Sequence, residues 1–202
     1  MRWLWALASV LVMCVGAATA RAEAVDLAIV LAADVSRSVD DDEFKLQRQG
    51  YAGAVTDPSV LRAIAAGPRG GIALCFIEWS GPEEQQVVAE WTVIRDGESA
   101  AGFAATLLMA PRSFVGRTSI SAAIDFSRAY AAKLGLGAER RIIDISGDGT
   151  NNSGRPAPDA RDEASPRDSR SMGSPSSTSI PIPAISRTPS RPKACPNIIG
   201  RM

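Results

Sequence analysis

A largely apolar run, Val25-Asp-Leu-Ala-Ile-Val-Leu-Ala-Ala33, gives way at once to Asp34-Val-Ser36-Arg-Ser38. The run suits one buried β-strand and is too short to span a bilayer. A carboxylate and two hydroxyls follow at its end. Alternation along an extended segment places Asp34, Ser36 and Ser38 on one side. Such a cluster of hard oxygen donors suits Mg2+ or another hard divalent cation. The same pattern also caps helices and closes turns, so taken alone it leaves both readings open.

Two later segments add to the first. Gly116-Arg-Thr118 leads into an amphipathic helix, and Glu139-Arg-Arg-Ile-Ile-Asp-Ile-Ser reads as a second buried strand that delivers Asp148 into a Gly-flanked turn. In an open α/β sheet the loops after the carboxyl ends of parallel strands converge on one edge, where ligands bind. Asp34, Ser36, Ser38, Thr118 and Asp148 are therefore expected to meet. Asp-x-Ser-x-Ser, then Thr, then Asp resembles the metal-ion-dependent adhesion site of von Willebrand factor A domains.

Four further stretches extend the resemblance: Leu46-Gln-Arg-Gln-Gly-Tyr51, Glu78-Trp-Ser-Gly-Pro82, Arg141-Ile-Ile-Asp-Ile-Ser-Gly-Asp-Gly149 and Asn151-Asn-Ser-Gly-Arg-Pro156. They are similar to a domain-of-unknown-function family of exported Gram-negative bacterial proteins with a von Willebrand factor A-like fold. The likeness runs roughly from Val25 to Ala164. It implies a doubly wound α/β domain with a mostly parallel sheet, and a metal-dependent, non-enzymatic binding module. In that reading Ser36, Ser38 and Thr118 supply hydroxyl oxygens while Asp34 and Asp148 supply charge. Mg2+ is the expected ion, with Mn2+ or Ca2+ as alternatives, and the expected partner is a protein presenting a carboxylate that replaces one metal-bound water.

Bulk properties narrow the alternatives. The 202 residues carry 22 basic and 22 acidic side chains, so neither a nucleic-acid stripe nor a polybasic membrane patch stands out. The sequence contains no histidine, which removes Ser-His-Asp and Cys-His nucleophile systems and His-ligated zinc. A Mg2+-dependent phosphatase of the haloacid-dehalogenase type would need a second Asp where Ser36 stands. A metal-free structural or assembly protein of the cell envelope is the main competing reading.

Residues 1–22 read as a secretory signal: Met1-Arg2, an apolar stretch from Trp3 to Val15, and a small-residue region ending at Ala22. Export to the periplasm or beyond is expected, with no stable membrane anchor. Met13 before Cys14 disfavours a lipid anchor. Cys75 and Cys195 then remain, and they suggest no disulfide framework. Cys75 is expected inside a strand as a small hydrophobe.

Strand and helix patterns alternate over residues 23–164, as βαβ units require. A helix is expected from about Asp40 to Val55, another around Val60–Ala65, and a strand from Ile72. Gln86–Ile94 reads as an antiparallel edge strand, and helices follow over Glu98–Leu108 and Ser119–Leu134. Trp79 and Trp91 are assigned to packing. Asp40 is assigned mainly to the helix start, with a minor outer-shell role at the site as an alternative. Asp125, Asp144 and Glu78 are assigned to local hydrogen bonding or the surface.

From residue 165 to 202 the composition collapses into Ser, Pro and Arg. A low-complexity tail is one reading. The other is translation out of frame. A one-base shift with suitable synonymous codons turns the segments from Arg170 and from Lys193 into strings resembling the end of the same family. On that reading the chain lacks the domain's last elements and one sheet edge is left unpaired.

Overall fold

Successive residues of the first strand face opposite ways, and both faces are covered. A computed structural model of the chain describes residues 24–164. It contains β1 (Ala24–Asp34), α1 (Asp41–Thr56), α2 (Pro58–Ala65), β2 (Ile72–Trp79), β3 (Gln85–Ile94), α3 (Gly97–Met109), α4 (Ile120–Ala131), β4 (Gly137–Ser146) and α5 (Ala157–Ala164). Val30 and Ala32 of β1 join Cys75, Ile77 and Trp79 of β2 in one core, under Ala123 and Ile124 of α4 and Ala160 and Ala164 of α5. Ala33, Leu74 and Phe76 pack on the other side against Ala52 and Val55 of α1, Ile64 of α2, and Phe103 and Leu107 of α3. Apolar residues on both faces are what a parallel sheet between two helix layers demands.

The strand order is β3-β2-β1-β4. β1 runs parallel to β2 and to β4, while β3 returns antiparallel to β2. The fold is therefore α/β with a mixed, mostly parallel sheet, and β3 is the antiparallel edge expected from the sequence. Among the described residues β4 pairs with β1 alone. Residues 1–22, expected to be a secretory signal, Cys195, and the Ser/Pro-rich tail with the out-of-frame reading expected for it lie outside the described residues. No described helix is long and apolar enough to cross a membrane.

Local signals explain the helix starts. Asp40 accepts from the amides of Asp42 and Glu43, and the Glu43 side chain returns to the Asp40 amide. Asp40 is thus committed to capping, and Asp41, Asp42 and Glu43 occupy the positive end of the helix dipole. Asp57 closes α1 and caps α2, with Pro58 at the first helical turn. Asp96 and Ser99 form the reciprocal cap of α3.

Two departures from the sequence reading have physical reasons. α4 ends at Ala131 rather than Leu134, because the amides of Ala132, Lys133 and Leu134 turn back onto Arg128, Tyr130 and Ala131. Leu134 is then free to enter a small core with Val25, Ala28 and Ala73. α5 was not expected, since it carries few apolar residues. It is held by small Ala160 and Ala164 against α4 and by Arg155, which joins Asp125 of α4 to Glu163 of α5 at 2.8 Å each.

Candidate metal centre

The sheet register brings three strand ends to one edge. Asp34 lies opposite Trp79 and Ala33 lies opposite Ser146, so the segments after β1, β2 and β4 leave the sheet side by side. The loop before α4 crosses the same edge, because the Ser119 amide donates to the Ser80 carbonyl at 2.8 Å and the Arg37 amide donates to the Gly116 carbonyl at 3.0 Å.

All five residues singled out in the sequence come together there. Asp34 Oδ1 accepts from the Ser36 amide at 2.7 Å. Ser36 Oγ lies 3.1 Å from Ser38 Oγ and accepts from Thr118 Oγ1 at 3.1 Å. Ser38 Oγ donates to Asp148 Oδ1 at 2.7 Å. Asp34, Ser36 and Thr118 are buried, whereas Ser38 and Asp148 are exposed. The cluster thus has a dry base and a wet rim. Its geometry differs from the sequence reading in one respect. β1 ends at Asp34, and Ser36 and Ser38 lie in a turn closed by the Val39 amide on the Ser36 carbonyl at 3.0 Å, not on an alternating strand.

Burial pushes the Asp34 carboxyl above its usual range. The Ser36 amide and hydroxyl oppose that push, the Asp148 charge adds to it, and Arg112 opposes it. Asp34 Oδ2 is buried without a hydrogen-bond partner. It faces Gly147, where an added Cβ would lie 3.1 Å from it. A buried carboxylate oxygen with no partner is costly, and a cation offers one remedy. Among the described residues no three or more His, Cys, Asp or Glu side chains are grouped so that they could hold a metal ion. The cluster instead offers two carboxylates and three hydroxyls, a donor set that fits a hard cation such as Mg2+ better than a thiophilic one.

Residues that the sequence reading did not assign to the site hold this cluster. Asn152 Oδ1 accepts from the Thr118 amide at 3.0 Å, and Asn151 Oδ1 accepts from the Ile120 amide at 2.8 Å at the start of α4. The Asp148 turn and Thr118 are therefore tied through the Asn pair, whose capping chemistry was available as a signal. The guanidinium of Arg112 donates to the carbonyls of Val35, Ser36 and Val39 at 2.8 Å each. No local pattern in the sequence marks that role. Of the two assignments given to Glu78, the surface one fails and hydrogen bonding holds, though not to near neighbours: it is fully buried, accepts from Arg48 Nη2 at 2.6 Å, and accepts from the Ser113 amide at 2.8 Å. Asp125 has a local partner in Arg128 at 4.0 Å and a distant one in Arg155 at 2.8 Å. Trp79 is wholly buried, and Trp91 stacks on Tyr130 with ring centroids 5.9 Å apart.

The strand order, directions and two helix layers define a von Willebrand factor A-like domain. The chain belongs to the family described as "Protein of unknown function (DUF1194)", whose profile matches residues 24–169. No curated protein matches the chain significantly. Among solved structures, it is similar to proximal thread matrix protein 1 from the mussel byssus, at 14% identity over 70% of this chain and 35% of that one, with a TM-score of 0.54. A structure of the same mussel protein with a zinc occupied MIDAS motif matches at 14% identity over the same shares, with a TM-score of 0.52. The von Willebrand factor domain of the type V pili tip protein Mfa5 from Porphyromonas gingivalis matches at 13% identity, over 63% of this chain and 39% of that one, with a TM-score of 0.43. The chain spans well under half the length of each of these proteins.

Proposed function

We propose that this domain is an exported, metal-dependent protein-binding module of the adhesion type rather than an enzyme. The observation that carries the reading is Asp34 Oδ2, a buried carboxylate oxygen without a partner beside three converging hydroxyls. Asp34, Ser36, Ser38, Thr118 and Asp148 would hold a divalent cation, Mg2+ first, with Mn2+ or Ca2+ as alternatives. The zinc occupied MIDAS motif of the mussel protein supports a divalent ion in a domain of this fold. A bound hard cation supplies an electrophilic centre that accepts a carboxylate oxygen from a partner in place of water. The protein's part is to orient the oxygens. Buried Ser36 and Thr118 set the base, and exposed Ser38 and Asp148 face the side from which a partner arrives.

The test is retention of Asp- or Glu-bearing synthetic peptides on the immobilised full chain, against their amide counterparts, in Mg2+ and in EDTA. Retention that needs both the carboxylate and Mg2+ is expected. Retention indifferent to either would contradict the reading and favour a metal-free assembly role.

A further inference from the structure

Arg112 lies in the loop between α3 and α4, and its side chain is 14% exposed. Nη2 donates to the carbonyls of Val35, Ser36 and Val39 at 2.8 Å each, and Nε donates to Val35 at 3.3 Å and Phe114 at 3.0 Å. Nη1 lies 3.5 Å from the exposed carboxylate of Asp41. The Phe44 ring centroid is 5.6 Å from the guanidinium carbon. Its neighbour Ser113 is anchored through its amide by buried Glu78, which Arg48 holds in turn. A planar fork of fixed donors held by a rigid base is pre-organised, so little side-chain entropy is lost per bond formed.

The carbonyls that Arg112 occupies belong to the turn that follows Asp34 and carries Ser36 and Ser38. The Ser36 carbonyl accepts from Arg112 as well as from the Val39 amide that closes the turn, and its hydroxyl is engaged with Ser38 and Thr118. A carbonyl oxygen committed to a guanidinium is not available to a second cation nearby, since the two positive charges would repel. Ca2+ takes six to eight oxygens in flexible geometry and often recruits backbone carbonyls, whereas Mg2+ takes six and keeps waters. A turn whose carbonyls are withheld offers side-chain oxygens and room for water. That is the smaller ion's requirement.

We propose that Arg112 is a positioning residue that sets ion specificity: by sequestering the Val35, Ser36 and Val39 carbonyls it holds the turn and biases the cluster toward Mg2+ against Ca2+. The inference rests on the reading of the cluster as a cation site.

The experiment is calorimetric titration of Mg2+ and of Ca2+ into the full chain and into R112Q, R112K and D41N, with thermal unfolding in EDTA as the check on folding. In R112Q the Mg2+ affinity is expected to fall at least tenfold and the Ca2+ affinity less, so the Mg2+/Ca2+ ratio narrows. R112K keeps the charge without the fork and should give an intermediate ratio; if R112Q does not fold, R112K against the parent decides. D41N leaves the carbonyl bonds in place and should keep the parent's ratio. A parent that binds Mg2+ with a ratio unchanged in R112Q, or in R112K where that variant decides, overturns this inference alone. So does a D41N ratio that falls as far as that of R112Q. A parent that binds neither ion overturns the cation-site reading, and this inference with it.

Discussion

Ser38 Oγ donates to Asp148 Oδ1 at 2.7 Å although the two residues stand 110 positions apart. That bond ties the turn after β1 to the turn after β4 on the exposed side of the cluster. Asp148→Asn keeps the shape and an acceptor but removes the charge. Its thermal stability in EDTA is expected to stay within about 0.5 kcal/mol of the parent, as for most surface changes. Its stabilisation by Mg2+ should largely disappear. Thermal unfolding with and without Mg2+ reads both quantities.

Gly154 has φ of +79°, and a Cβ there would lie 2.6 Å from Ser119 Oγ and 3.0 Å from Ser121 Oγ. Gly154→Ala combines left-handed backbone strain with a clash against buried hydroxyls at the start of α4. A loss of about 1–3 kcal/mol is expected in urea denaturation. The strain falls beside Asn152, so Mg2+ affinity should drop as well.

Arg48 and Glu78 form a buried charge pair, 3% and 0% exposed, that ties α1 to β2. Glu78 also holds the Ser113 amide, and Arg48 Nη1 donates to the Leu107 carbonyl at 2.7 Å. Removing one charge strands the other, so Glu78→Gln is expected to cost about 3–5 kcal/mol. A double change of Arg48 and Glu78 to apolar residues of similar size should recover part of that loss. Chemical denaturation of the single and double variants measures the difference.

The helix caps give a pH dependence with a definite sign. The Ser99 amide and hydroxyl, which donate to Asp96 Oδ1 at 2.9 and 2.7 Å, hold that carboxyl below the ordinary value of 3.8. A carboxyl depressed by folding stabilises the native state above its unfolded value, and that contribution is lost as pH falls through the folded value. Asp96→Ala should therefore lower Tm at neutral pH, and the gap to the parent should shrink as acid is added below the ordinary carboxylate range. A gap that widens in acid would contradict the assignment.

Much of the fold is legible because its signals are local or periodic. Val25–Ala33 has the composition of a strand buried on both faces, and Asp40, assigned to a helix start, caps α1. The five oxygen-bearing residues could be gathered on one edge because parallel strands send their carboxyl-end loops to the same side. The supports were harder to see. Arg112 acts on carbonyls, which every residue has, so nothing in its neighbours' side chains announces the contact. Nothing near Glu78 in the sequence announces its buried ion pair, because its partner Arg48 lies 30 positions away in another element. α5 is stabilised by Ala160, Ala164 and the Arg155 ion pairs rather than by an apolar stripe.

The central claim is that Asp34 anchors a divalent cation, and calorimetric titration of Mg2+ into the full chain and into Asp34→Ala tests it most directly. The cluster described here should give saturable binding near one ion per chain in the parent and none in Asp34→Ala. Equal binding in both, or none in the parent, would contradict it.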